Sequence, residues 1–248
     1  MGDLMRIRGP WNVERGSRAV LMMAAAITVA ACGSRRVVVG GVGSISPRSM
    51  AWRPLFDGTS MAAWRGFDSD AVPAGWHVVD GAITKTGGVE DLMTKEQFGN
   101  FELELEWEIG DRGNSGIFYR ATKDYDHIYW SGPEYQLEDN IGAADNKSAD
   151  RWTASDYALY PVAGGQIPTA NKWNTTRIVV NGAHVEHWLN GKKVVEYELW
   201  SPDWNARVAA SKFKDWPKYG MAHRGYIGIQ GDHPGVLSLR NIRIRELP

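Results

Sequence analysis

Nine consecutive residues alternate without a break. Phe101, Leu103, Leu105, Trp107 and Ile109 are apolar, and Glu102, Glu104, Glu106 and Glu108 stand between them. A repeat of two suits only extended chain, because successive side chains of a strand point to opposite faces; a helix would scatter the five apolar groups around its circumference. The run predicts a strand with one face on a core and the other in solvent. Residues 76–83 and 184–195 carry Asp80-Gly81 and Asn190-Gly191 between strand-like runs, the chemistry of a tight hairpin turn. Residues 178–180, 225–230 and 237–244 add further strands. Long helical periodicity is missing; only Ser201-Pro202-Asp203-Trp204, with an N-cap Ser, Pro at N1 and an acid in the first turn, opens a short helix running towards Ser211. Amphipathic strands without helices can bury their apolar faces only against one another, so the expected fold is all-β, an antiparallel two-sheet sandwich with one short helix.

The chain has 248 residues, 43% hydrophobic, which is enough apolar material for a real core. A formal net charge of -1 denies it the basic excess of a nucleic-acid binder. Twenty-eight Gly point to many tight turns, and 12 Trp to a large aromatic core or to flat surfaces that stack on a sugar face. Arg6, Arg8, Arg15 and Arg18 precede an apolar run, 19–31, too short for a stable membrane span. That run ends in Val29-Ala30-Ala31-Cys32-Gly33, which resembles a bacterial lipobox. Residues 1–31 are therefore expected to be a lipoprotein export signal, and Cys32 the lipidated first residue of the mature chain. Cys32 is the single cysteine, so no internal disulfide can form. Residues 32–52, rich in Gly and Ser, are expected to be a tether, and 53–248 the folded domain. The expected location is the periplasm or outer membrane, with membrane contact only through the lipid.

Six motifs stand in order along the domain: Leu55-Phe56-Asp57-Gly58, Gly113-Asn114-Ser115-Gly116-Ile117-Phe118-Tyr119-Arg120, Glu134-Tyr135-Gln136-Leu137-Glu138-Asp139-Asn140, Trp173-Asn174, Trp188-Leu189-Asn190-Gly191 and Arg240-Asn241-Ile242-Arg243-Ile244. Together they resemble the 3-keto-disaccharide hydrolase domain over about residues 52–247. The resemblance implies a concanavalin A-like jelly roll. It also implies an exported enzyme acting on glycosides whose C3 hydroxyl is already a ketone, and hence a functional link to a sugar C3-oxidoreductase. Fold likeness to lectins and glucanases says nothing by itself about chemistry. A non-catalytic carbohydrate-binding module stays open as a second class.

Glu134 and Gln136, two apart on a strand, share one face, while Tyr135 and Leu137 take the other. If the apolar pair faces the core, the carboxylate and the amide face a ligand; a merely solvated sheet face is the alternative. Glu138 extends the row and imitates the paired-Glu strand of jelly-roll glucanases. The central Asp of that pattern is Gln136 here, and Cα atoms four residues apart lie about 13 Å from each other, whereas retaining hydrolysis needs carboxyls roughly 5 to 5.5 Å apart. Glu138 is therefore taken as incidental, and a conventional retaining glycosidase as the alternative enzyme.

In a second constellation Ile227 and Ile229 alternate with Gly228 and Gln230, and Asp232 and His233 follow. Gly228 is expected to open the polar face to a ligand or another backbone; a bulge at Gly231 and an ordinary turn at Asp232-His233 are the alternatives to a functional role there. A ketone at C3 acidifies the C2 hydrogen, so a base can start elimination of the C1 aglycone without a nucleophile. The expected roles are Glu134 or Asp139 as base, Gln136, Gln230 or Arg120 at the enolate oxygen, and His233 as proton donor to the leaving oxygen. Asn114, Asp232 and Trp216 are expected to contact substrate, Trp216 from a loop, Lys212 to Lys218, over the site. His127, His184, His187 and His223 lack zinc-type spacing, so neither a catalytic metal nor an organic cofactor is expected. Only the Glu102 to Glu108 oxygens are offered to a structural Ca²⁺.

Overall fold

The structure is a computed structural model that describes residues 50–248; the expectations for the export signal, Cys32 and most of the tether lie outside the described residues. Among those residues run thirteen strands: β1 (Arg53–Pro54), β2 (Trp64–Gly66), β3 (His77–Val79), β4 (Ala82–Lys85), β5 (Leu92–Phe98), β6 (Phe101–Ile109), β7 (Asn114–Ala121), β8 (Glu134–Glu138), β9 (Asn174–Asn181), β10 (His184–Leu189), β11 (Lys192–Glu198), β12 (Gly225–Ile229) and β13 (Leu237–Glu246). One α-helix, α1 (Pro202–Ala210), lies between β11 and β12. All pairings are antiparallel. Eight strands form one sheet in the order β11-β10-β9-β6-β13-β4-β3, with β1 also on β13; five form the other in the order β2-β5-β12-β7-β8.

The alternating run is β6, at the centre of the larger sheet between β9 and β13. Its apolar residues are all buried in the core between the sheets. Three of its four glutamates meet arginines from the neighbouring strands: Glu102 binds Arg177 and Arg245, Glu104 binds Arg243 at 2.6 Å, and Glu106 binds Arg240 at 2.7 Å. The oxygens considered for Ca²⁺ on Glu102, Glu104 and Glu106 thus accept from guanidinium groups, whose positive charge opposes a bound cation. Both hairpins form with φ > 0 at both central residues, Asp80 (48°) with Gly81 (76°) and Asn190 (49°) with Gly191 (79°). At α1 the Ser201 hydroxyl accepts from Trp204 N (3.1 Å), as an N-cap does.

The smaller sheet positions the site. Ile117, Tyr119, Tyr135, Leu137, Ile227 and Ile229 point into the main core. The opposite face divides in two. One half is closed by a second apolar cluster of Phe67, Met93, Phe118, Ala121 and Ile128. Gly228 belongs to that half: a Cβ there would stand 2.1 Å from Ile128 Cδ1. The expectation that Gly228 opens the sheet to a ligand is therefore corrected; it makes room for an isoleucine. The other half is polar.

Candidate active site

On that polar half β8 lays Glu134, Gln136 and Glu138 in a row, all three buried. The period-two reading holds because Tyr135 and Leu137 are fully buried on the other side. Across β7, Gly116 pairs with Gln136, and a Cβ at 116 would stand 2.0 Å from Glu134 Oε1. The missing side chain is the space the carboxyl occupies. With its nitrogen turned to the acceptors beside it, the Gln136 amide donates to Glu134 Oε1 (3.1 Å) and to the Ser115 carbonyl (3.1 Å), and with the Asn114 carboxamide turned likewise, its NH₂ in place of Oδ1, the Gln136 oxygen accepts from it (3.3 Å).

Glu134 and Gln136 floor a pocket of about 470 Å³ that Arg112, Asn114, Tyr129, Asp145, Tyr157, Lys212, Gln230, Asp232 and His233 also line. Burial pushes the Glu134 carboxyl up to about 8; Lys212 opposes that rise, and Asp232, Asp91 and Asp145 add to it. Burial also lowers Lys212, against the pull of Glu134. Lys212 is delivered by a second cap: after α1, Ser211 Oγ accepts from Phe213 N (3.0 Å) and opens the 3-10 turn Lys212–Asp215. Its ammonium lies 4.2 Å from the centre of the Tyr157 ring. Tyr157 in turn donates to Asp145 Oδ2 (2.5 Å), and Arg151 holds both Asp145 (2.9 Å) and the Tyr157 hydroxyl (2.7 Å).

On the opposite lip Asp232 and His233 stand 3.9 Å apart. Their loop is anchored from below by buried Lys85, which donates to the His233 carbonyl (2.7 Å). Gly231 is a close-approach position: a Cβ would meet Glu90 O at 2.5 Å, and its N–H donates to Asp91 Oδ1 (2.7 Å). Burial raises the Asp91 carboxyl to about 7, the Gly231 N–H opposing and Asp232 and Glu90 adding. The irregularity in β12 falls between Tyr226 and Gly228, not at Gly231.

The fold thus brings together Glu134, Gln136, Asn114, Gln230, Asp232 and His233, and leaves three expected residues aside. Arg120 is corrected. Its guanidinium donates to Gly99 O (3.1 Å), Gly182 O (2.8 Å) and Asn100 Oδ1 (3.2 Å), clasping two hairpin turns rather than a substrate. The cause is local: Arg120 has φ 48°, which breaks the alternation that would have kept it beside Gly116. Asp139 is corrected as a base. Partial burial raises its carboxyl, but N–H donors of Arg112 (2.8 Å), Gly142 and Ile141 (3.0 Å) outweigh that and hold it below its usual value as a turn cap. Trp216 stacks on Trp130 (5.0 Å between centroids, 14° between planes) and does not line the pocket. Sequence reasoning missed Arg112, Tyr129, Asp145 and Tyr157, which sit in irregular segments without periodicity, and Lys212, which it placed in a covering loop but gave no role. A larger groove, about 710 Å³, lies over the other sheet, but its Glu104, Glu106 and Arg177 are all in ion pairs.

This antiparallel sandwich, with a buried acid, an amide and a lysine at one pocket, is by its family and relatives a β-sandwich hydrolase acting on glycosidic bonds. The chain belongs to the 3-keto-alpha-glucoside-1,2-lyase-like domain family, whose sequence model matches residues 51–245. It is 38% identical over 225 residues to a 3-keto-disaccharide hydrolase of Bacteroides thetaiotaomicron, covering 78% of this chain and 77% of that one. Among solved structures it resembles a putative glycosyl hydrolase from Parabacteroides distasonis (TM-score 0.74, 30% identity, 79% of this chain and 94% of the other). A galectin-like protein of Bacillus subtilis shares the fold at 12% identity (TM-score 0.53, 79% and 94%).

Proposed function

We propose that this enzyme cleaves 3-keto-glycosides, including 3-keto-disaccharides, by elimination and rehydration. The observation that carries the reading is Glu134: a buried carboxyl, raised to about 8, seated against Gly116 and hydrogen-bonded by Gln136. Abstraction of a carbon-bound proton is weakly driven, so a base near the working pH serves better than one near 4. Glu134 removes the C2 proton, and the electron pair forms the enolate at C3, stabilised by the Lys212 ammonium and pocket amides. Collapse of the enolate restores the C3 ketone, forms the C1–C2 double bond and expels the C1 oxygen, to which His233 gives a proton. Water then adds at C1 and a proton returns to C2. The sum is hydrolysis, with no oxidant or reductant. The ketone itself must come from an oxidoreductase acting earlier on the same sugar.

Running the reaction in D₂O is the test. Elimination places deuterium at C2 of the released 3-keto sugar, beyond the exchange seen without enzyme, and Glu134→Gln slows incorporation and product release together, by about 10²- to 10⁴-fold. Displacement at C1 leaves C2 unlabelled and would defeat the mechanism. Export and lipidation at Cys32 belong to the same proposal: they would hold the domain by its tether where foreign glycosides arrive.

A further inference from the structure

Glu138 is wholly buried, and neither carboxyl oxygen has a hydrogen-bond partner among the described residues. It abuts the Gln136 amide from the side opposite Glu134. A glutamine has one NH₂ and one oxygen. With the nitrogen spent on Glu134 and the Ser115 carbonyl, the oxygen faces Asn114 and Glu138. An ionised Glu138 has only acceptors to offer that oxygen and would lie bare in the protein interior, whereas a protonated one donates to it.

We propose that Gln136 is shared between two carboxyls and that Glu138, by carrying a proton, is the positioning residue that keeps the amide donor on Glu134. When Glu138 ionises, the amide turns over, its nitrogen goes to Glu138, and its oxygen is left against Glu134 and the Ser115 carbonyl. Glu134 and Glu138 are thereby coupled through one side chain, although they are four residues apart on an extended strand. The surroundings agree. Burial raises Glu138 to about 8; Asp145 and Asp139 add to the rise and Arg151 opposes it, while Gln136 opposes it only with its nitrogen turned towards Glu138, the orientation expected once Glu138 ionises. Asn114 faces Glu138 across β7, and the Thr153 hydroxyl is occupied by the Glu138 backbone. Glu134 faces Lys212, Asp232, Asp91 and Asp145, with Asp156 buried behind it.

This inference rests on the reading of Glu134 as the base, and its test separates the two. A base raised to about 8 makes kcat/KM climb as pH rises towards that value. Loss of the Glu138 proton then makes kcat/KM fall about tenfold per pH unit on the alkaline side. In Glu138→Gln the alkaline limb is absent and the optimum stays within about threefold of wild type, because the new NH₂ still donates to the Gln136 oxygen. Glu138→Leu, which cannot donate, loses about tenfold or more at every pH. An unchanged alkaline limb in Glu138→Gln, as Lys212 would produce, overturns the proposal; so does equal activity of the Leu and Gln variants. A second readout needs no turnover. The Gln136 side-chain ¹⁵N–¹H signals of the substrate-free protein titrate on the alkaline side in wild type and not in Glu138→Gln. Their titration in both, or in neither, refutes the coupling and decides the matter should Glu138→Leu fail to fold. If they behave as expected while Glu134→Gln keeps full activity, the coupling stands and the role of Glu134 falls.

Discussion

Gly116 shows how an absent atom shapes a site. Its φ is ordinary, so its value is not backbone freedom but the space its missing Cβ leaves beside the Glu134 carboxyl. Alanine there stands 2.0 Å from Oε1 and must drive the carboxyl off its bond with Gln136. Gly116→Ala is expected to lower kcat/KM by on the order of 10²-fold, as a displacement of about 1 Å does at a reacting group. Circular dichroism and thermal unfolding should still report a folded sandwich. Wild-type activity in that variant would show that the carboxyl's seat is immaterial.

Strand β7 carries two kinds of residue at its two ends. Asn114 and Gly116 face the pocket, while Arg120 leaves the alternation through its positive φ and turns to the carbonyls of Gly99 and Gly182. A guanidinium in that position joins the β5–β6 and β9–β10 turns, and through them both sheets. Arg120→Leu is expected to cost about 3 kcal/mol, because two carbonyl acceptors lose a charged donor, with KM for the keto-glycoside unchanged. Urea denaturation and steady-state kinetics measure the two quantities. A raised KM at full stability would restore Arg120 as a substrate clamp. Two caps shape the other wall: Ser201 opens α1, and Ser211, directly after it, opens the turn that presents Lys212 to Glu134.

Considered whole, the domain uses its two outer faces differently. The larger sheet is finished by a ladder of Glu–Arg pairs on β6, β9 and β13, while the smaller keeps acidic groups buried and partly without hydrogen-bond partners. Buried polar groups without partners lower stability and are found where chemistry needs them, which sets the smaller sheet as the working one. Placement in the cell follows from the other end of the chain. If Cys32 carries lipid, Cys32→Ala moves the protein from the membrane fraction to a soluble one, while purified enzyme keeps its activity. Membrane retention of the variant would end the lipobox reading.

The strands of β6, the hairpins at Asp80-Gly81 and Asn190-Gly191, the cap at Ser201 and the common face of Glu134 and Gln136 were all readable from residue order, because each depends on torsions and spacings within a few residues. Arg120 and Asp139 lay beyond such reading: an unusual φ turns Arg120 to carbonyls of distant turns, and a set of backbone donors holds the Asp139 carboxyl as a turn cap. Gly228 looked like an opening until Ile128, brought by a distant turn, filled it. Asp145, Tyr157 and Lys212 reach the pocket along irregular paths held by contacts far apart in the chain, which leave no period to detect. The state of Glu138 was least visible. A glutamate in a sequence is an acid with its usual affinity for a proton, and only burial in the folded sandwich, beside a glutamine with one donor to give, makes keeping the proton the favourable choice.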